Sequence, residues 1–106
     1  MVEDIAPETV NEKLENGDNL QVVDIRRPPQ FARGHIPGAE NVPFPELPQR
    51  VDEHDWGDEI VVVCPVGKSS QKAARMLESY EGVDEDARVL NLEGGYRAWE
   101  FDLEEA

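Results

Sequence analysis

The sequence predicts an α/β domain whose mostly parallel sheet is covered by helices on both faces. Three observations point there. Short runs of β-branched and aliphatic residues alternate with stretches in which apolar residues recur at helical spacing, the pattern of strands joined by crossover helices. Residues 60–63 are an unbroken apolar run, as a strand buried on both faces requires. Cys64 follows that run directly and a helical pattern follows Cys64, so the single cysteine sits in a strand-to-helix turn. A chain of 106 residues has enough length for one domain, residues 1–106, and it contains no repeat or linker.

Taken in order, Pro7 suits the first turn of a helix, Glu8 favours its positive end, and Val10 and Leu14 give an apolar stripe that Asn16-Gly17 stops. Residues 20–25 read as a strand ending at Asp24-Ile25-Arg26. Pro28-Pro29 start a short helix with Phe31 and Ala32 facing inward, and Gly34 ends it. Residues 35–39 make a tight connection in which His35 is a hydrogen-bonded turn residue, and Asn41-Val42 add a short extended piece. Pro43, Pro45 and Pro48 keep the next segment irregular except for one helical turn at 47–51. Residues 53–58 form an acidic connection in which Trp56 covers an edge of the core.

Beyond the cysteine turn, Ala73, Ala74, Leu77 and Tyr80 define a helix over 71–80, and residues 82–86 form an acidic loop. Residues 88–92 are a further strand, Glu93-Gly94-Gly95 a turn, and 96–101 a terminal helix that places Tyr96 and Trp99 in the core. Glu104, Glu105 and Ala106 are expected to fray.

Charge narrows the function. The formal net charge is -14, which repels nucleic acid and anionic membranes, so neither is an expected partner. Seven Arg against three Lys, under a large acidic excess, resembles the proteins of salt-loving archaea. Concentrated potassium chloride screens self-repulsion there, and a halophilic origin is the expectation. One cysteine excludes an internal disulfide, and with two well-separated histidines it gives no reason to expect a metal site or a cofactor. No basic stretch followed by an apolar run opens the chain, and none reaches membrane-spanning length, so a cytoplasmic protein with a reduced thiol is expected.

Within this acidic chain two intervals hold no acid at all. Residues 60–77 carry Lys68, Lys72 and Arg75, and residues 25–39 carry Arg26, Arg27 and Arg33. The first interval contains the cysteine turn, where helix-initiating amides lack intrahelical partners and the helix dipole is positive. Such a place stabilises a thiolate or a bound anion. Gly67 lets the backbone curl, Ser69 or Ser70 can cap the helix, and Lys68 adds charge. Cys64 is therefore a candidate nucleophile in an anion cradle, against the plain alternative of a small buried hydrophobe. Ligands of open α/β sheets bind beyond the carboxyl ends of the strands, which brings Asp24–Arg27, Cys64–Ser70 and Glu93–Gly95 to one edge.

These three motifs resemble the signatures of the rhodanese (sulfurtransferase) family. Val23-Asp24-Ile25-Arg26, Phe31, Gly34-His35-Ile36-Pro37-Gly38-Ala39 and Asn41-Val42-Pro43 are similar to its first signature. Val62-Val63-Cys64 with Gly67 and Ser70 are similar to its active-site loop, and residues 92–99 to its closing one. The resemblance spans nearly the whole chain and implies a single rhodanese-like domain, with a central sheet of about five strands. It also implies a mechanism in which Cys64 takes sulfur from a small anionic donor such as thiosulfate, becomes a persulfide, and passes the sulfur to cyanide or a thiol. A sulfur-carrier protein is a further candidate partner.

On this reading the amides of Val66, Gly67, Lys68, Ser69 and Ser70 bind the substrate, Asp24 and Arg26 give structural support, and Arg27 raises the potential at the entrance. Many family members carry Arg where this chain has Ser69, and usually an acid where it has Arg27. A phosphatase or arsenate reductase on the same fold needs an Arg closing the loop, where Ser70 and Gln71 stand. A non-catalytic binding module is the other alternative.

Overall fold

The computed structural model describes residues 2–105. Five strands form one sheet: β1 (Glu3–Ile5), β2 (Gln21–Asp24), β3 (Glu40–Asn41), β4 (Glu59–Val63) and β5 (Arg88–Leu92). Their order is β1-β5-β4-β2-β3, and every pair is parallel. The helices are α1 (Pro7–Glu15), α2 (Pro28–Arg33), α3 (Leu47–Arg50), α4 (Ser69–Ser79) and α5 (Gly95–Ala98), with 3-10 turns on either side of α3. No helix is long and apolar enough to cross a membrane among the described residues.

Alternation along β4 divides the core into two layers. Val61 and Val63 pack with Val10 of α1, Leu90, Leu92 and Trp99 on one face. Ile60, Val62 and Cys64 pack with Leu47 of α3 and with Ala73, Ala74 and Leu77 of α4 on the other. Each fully buried aliphatic side chain here contributes about 1.5–3 kcal/mol, and the small alanines of α4 bring its backbone close to the sheet. The central strand is thus fixed from both sides, and the turn leaving it is held on a rigid base.

Several boundaries differ from the sequence expectation. β1 was not anticipated: three residues, two of them exposed acids, carry no apolar alternation, and the strand exists through its parallel pairing with β5. The last helix stops at Ala98, because Trp99 is already extended and turns its indole inward, 8 % exposed. Ala32 is exposed rather than inward-facing, while Phe31 is half-buried and stacks on His35 at 3.8 Å between ring centroids.

Glu104 does not fray. Its backbone exchanges two hydrogen bonds with His35, each 2.9 Å, and its Oε1 accepts from the Gly38 amide at 2.8 Å. Ala106 lies outside the described residues. Trp56 is half-buried against the α4-side core, with its indole N–H donated to the Val51 carbonyl.

Candidate active site

Cys64 leaves β4 on the α4 side and is 1 % exposed. The chain then passes over the sulfur through Pro65-Val66-Gly67-Lys68 before α4 begins. Gly67 takes φ +82°, a left-handed conformation that glycine adopts without penalty, and this turns its amide onto Cys64 Sγ at 3.0 Å. Sγ also lies 3.2 Å from Ser70 Oγ. Neither Ser69 nor Ser70 caps α4; Lys68 occupies that position, and the Ser70 hydroxyl is instead bonded to Asn91 Oδ1 as well as to sulfur.

The electrostatics favour a thiolate. Burial pushes the Cys64 thiol up, but the Ser70 hydroxyl and the backbone amides of Ser70, Val66 and Gly67 together outweigh it, so the group ionises below its ordinary range. Pro65 has no N–H to give. With so little of the residue exposed, the sulfur is screened from bulk water and a donor must bring its own sulfur into the loop. Beside the loop lies a depression of about 400 Å³ lined by Val66, Lys68, Gly94, Arg97 and Ala98.

The loop is braced from behind by α5. Its amides at Tyr96 and Arg97 donate to the carbonyls of Cys64 and Pro65, both at 3.0 Å. Gly95 has φ +60°, and a Cβ there would overlap the Cys64 carbonyl oxygen. Gly95 is what lets helix and loop touch, while Gly94, at φ +76°, lies against Ala98 of its own helix.

Asp24 and Arg26 form a second brace. Arg26 donates to both Asp24 carboxylate oxygens at 2.8–3.1 Å and to the Gly34 carbonyl at 2.7 Å. Its guanidinium lies 3.7 Å over the Tyr96 ring, and the Tyr96 hydroxyl donates to Asp24 Oδ2 at 2.7 Å while accepting from the Ile36 amide. Burial, reinforced by the Asp24 carboxylate, pushes the Tyr96 hydroxyl up, so it stays protonated as the donor. Arg27 is the exposed residue preceding α2, and none of its described contacts reaches the Cys64 loop. His35 is buried, with Nδ1 2.8 Å from the Phe31 carbonyl oxygen.

Basic charge is sorted by position. Among the described residues Lys13, Arg26, Arg50 and Arg88 have carboxylate partners, whereas Arg27, Arg33, Lys68, Lys72, Arg75 and Arg97 have no ion pair. Of these six, Lys68 and Arg97 line the depression beside the Cys64 loop. Arg75 lines a separate groove with Val2, Asp4, Gln71 and Glu78, between β1 and α4. No group of His, Cys, Asp and Glu among the described residues could hold a metal ion.

Sequence reasoning missed Asn91 and Asp4. Asn91 is 2 % exposed, pairs with Asp4 across β1 and β5, and donates its Nδ2 to Asp4 Oδ1 at 2.9 Å. The available signal was a single polar residue inside the apolar run Val89-Leu90-Asn91-Leu92.

Residues 6–102 match the rhodanese-like domain family. A protein of Pseudomonas aeruginosa named thiosulfate sulfurtransferase GlpE is 40% identical over 95 residues, covering 90% of this chain and 81% of that protein. YrkF of Bacillus subtilis, whose name marks it as a candidate sulfur carrier, is 30% identical over 98 residues, 92% of this chain; the chain spans about half of that relative's length, 51%. Among solved structures, a rhodanese-like domain protein from Staphylococcus aureus superposes with a TM-score of 0.82 at 28% identity, covering 99% of both chains.

Proposed function

The chain belongs to the rhodanese-like domain family, and on that footing we propose that it is a sulfurtransferase working through a persulfide on Cys64, with thiosulfate as donor and cyanide or a thiol as acceptor. One observation carries this reading: the Gly67 amide 3.0 Å from Cys64 Sγ, in a loop whose amides favour the thiolate and bring its ionisation below the ordinary thiol range. The name of the Pseudomonas relative supports the donor.

In the first half-reaction the Cys64 thiolate attacks the outer sulfur of thiosulfate. The S–S bond breaks, and sulfite leaves with its electron pair. The new persulfide carries its charge on the outer sulfur, which enters the ring of amides from Val66 to Ser70, as an anion at a helix start does. Lys68, exposed and without an ion pair among the described residues, attracts the donor. In the second half-reaction cyanide or an acceptor thiolate attacks the outer sulfur and Cys64 leaves as thiolate, ready for another turn. Asp24, Arg26 and Tyr96 touch neither sulfur; they hold the neighbouring loops.

Because one site serves both substrates in turn, the kinetics should be ping-pong. Initial rates with thiosulfate and cyanide varied together should give parallel reciprocal plots. Intersecting plots, or an undiminished rate in Cys64→Ser, would sink the assignment.

A further inference from the structure

The hydrogen bonds beneath Cys64 contain an unequal count of donors and acceptors. Asp4 carboxylate oxygens only accept, so Asn91 must turn Nδ2 toward Asp4, at 2.9 Å, and its Oδ1 toward Ser70. The Ser70 hydroxyl then faces two acceptors, Asn91 Oδ1 and an ionised Cys64 Sγ 3.2 Å away, with one hydrogen to give. Ser70 and Asn91 are 0 % and 2 % exposed, so no bulk water makes up the deficit.

We propose that Asn91, anchored by Asp4, is a positioning residue that competes with Cys64 for the single hydroxyl hydrogen of Ser70. This rests on Cys64 being the nucleophile proposed above. In the resting thiol, S–H donates to Ser70 Oγ and Oγ–H donates to Asn91 Oδ1, and every group in this row of bonds is satisfied. On ionisation the thiol proton leaves to solvent, the hydroxyl hydrogen swings to sulfur, and Asn91 Oδ1 loses its donor. Once the outer sulfur is attached, the charge moves to that sulfur among the loop amides. Sγ becomes neutral, and the hydroxyl returns to Asn91. Asn91 therefore favours the thiol and the loaded persulfide over the bare thiolate, so that loading sulfur restores a satisfied interior.

The titratable groups nearest on the surrounding elements are Asp4 of β1, Asp24 and Arg26 after β2, Lys68 of the loop, Lys72, Arg75 and Glu78 of α4, Glu93 after β5, and Tyr96 and Arg97 of α5. Asp4, Lys68, Lys72, Arg75, Glu78, Glu93 and Arg97 are exposed, and Asp24, Arg26 and Tyr96 bond to one another, to the Gly34 carbonyl and to the Ile36 amide. None of these takes the place of Ser70 against Sγ among the described contacts.

The test is the ionisation midpoint of Cys64, read from thiolate absorbance on the intact chain. Asn91→Leu, close in size, should lower the midpoint by about one pH unit, the scale of one buried hydrogen bond. Ser70→Ala should raise it, and Asn91→Leu in the Ser70→Ala background should add nothing. A folded Asn91→Leu with an unchanged or raised midpoint, or an equal fall in both backgrounds, overturns the proposal. Asp4→Ala, at an exposed position, gives a second reading if Asn91→Leu does not fold. It should lower the midpoint more with Ser70 present than without it, and equal shifts would count against the competition. If the wild-type chain titrated as stated yet took no sulfur from any donor, the sulfurtransferase reading would fail while the competition stood.

Discussion

Gly95 lies against the carbonyl of Cys64 so closely that no side chain fits between them. The contact joins the closing turn of the chain to the central one, and it does so at φ +60°, a backbone conformation that disfavours any β-carbon. Gly95→Ala should therefore destabilise the fold by about 2–4 kcal/mol, from the left-handed strain together with displacement of the loop. Gly67→Ala should cost less, because its nearest neighbour would stand 3.1 Å from the new carbon rather than overlapping it. Urea midpoints of the two variants check the order.

Tyr96→Phe removes the donor to Asp24 and leaves the Ile36 amide without its acceptor. The expected loss is about 1–3 kcal/mol of stability, with the ionisation of Cys64 unmoved because the hydroxyl touches neither the sulfur nor the loop amides. Thermal unfolding and thiolate titration on the same variant separate the two.

The lowered thiol makes stability depend on pH in a defined direction. A group that ionises more readily when folded stabilises the fold fully above its unfolded value, and this contribution disappears as pH falls through the folded value. Wild type should thus gain stability relative to Cys64→Ala as pH rises through the ordinary thiol range. Denaturant curves of both proteins across that range test it, and parallel pH profiles would contradict the electrostatic account.

Net charge and the local charge of Lys68 act oppositely under salt. With a formal charge of -14, the fold should gain stability as potassium chloride rises from about 0.1 to about 3 M, because shorter screening lengths weaken self-repulsion. Lys68→Ala should raise the KM for thiosulfate several-fold at low ionic strength, and the difference should shrink as salt rises. A KM effect independent of salt would mean that Lys68 acts by contact rather than by long-range attraction.

The parts of the fold legible in the sequence are those whose cause is local. Residues 60–63 read as a buried strand, and Gly67 after Cys64 marked a curled loop before a helix whose alanines face the sheet. What the sequence hid was set by partners distant in the chain. β1 is recognisable only once β5 is beside it, and Glu104 is fixed only by His35. Ser70 looked like a helix cap because serine at a helix start usually is one, and the pull of Asn91, twenty-one residues on, is invisible without the sheet.

The most direct test of the account is the intact mass of the reduced protein before and after thiosulfate, with Cys64→Ser alongside. Wild type should gain one sulfur, reversed by cyanide or a thiol and absent from the variant. A gain that persisted in Cys64→Ser, or no gain from thiosulfate or from persulfidated proteins, would contradict it.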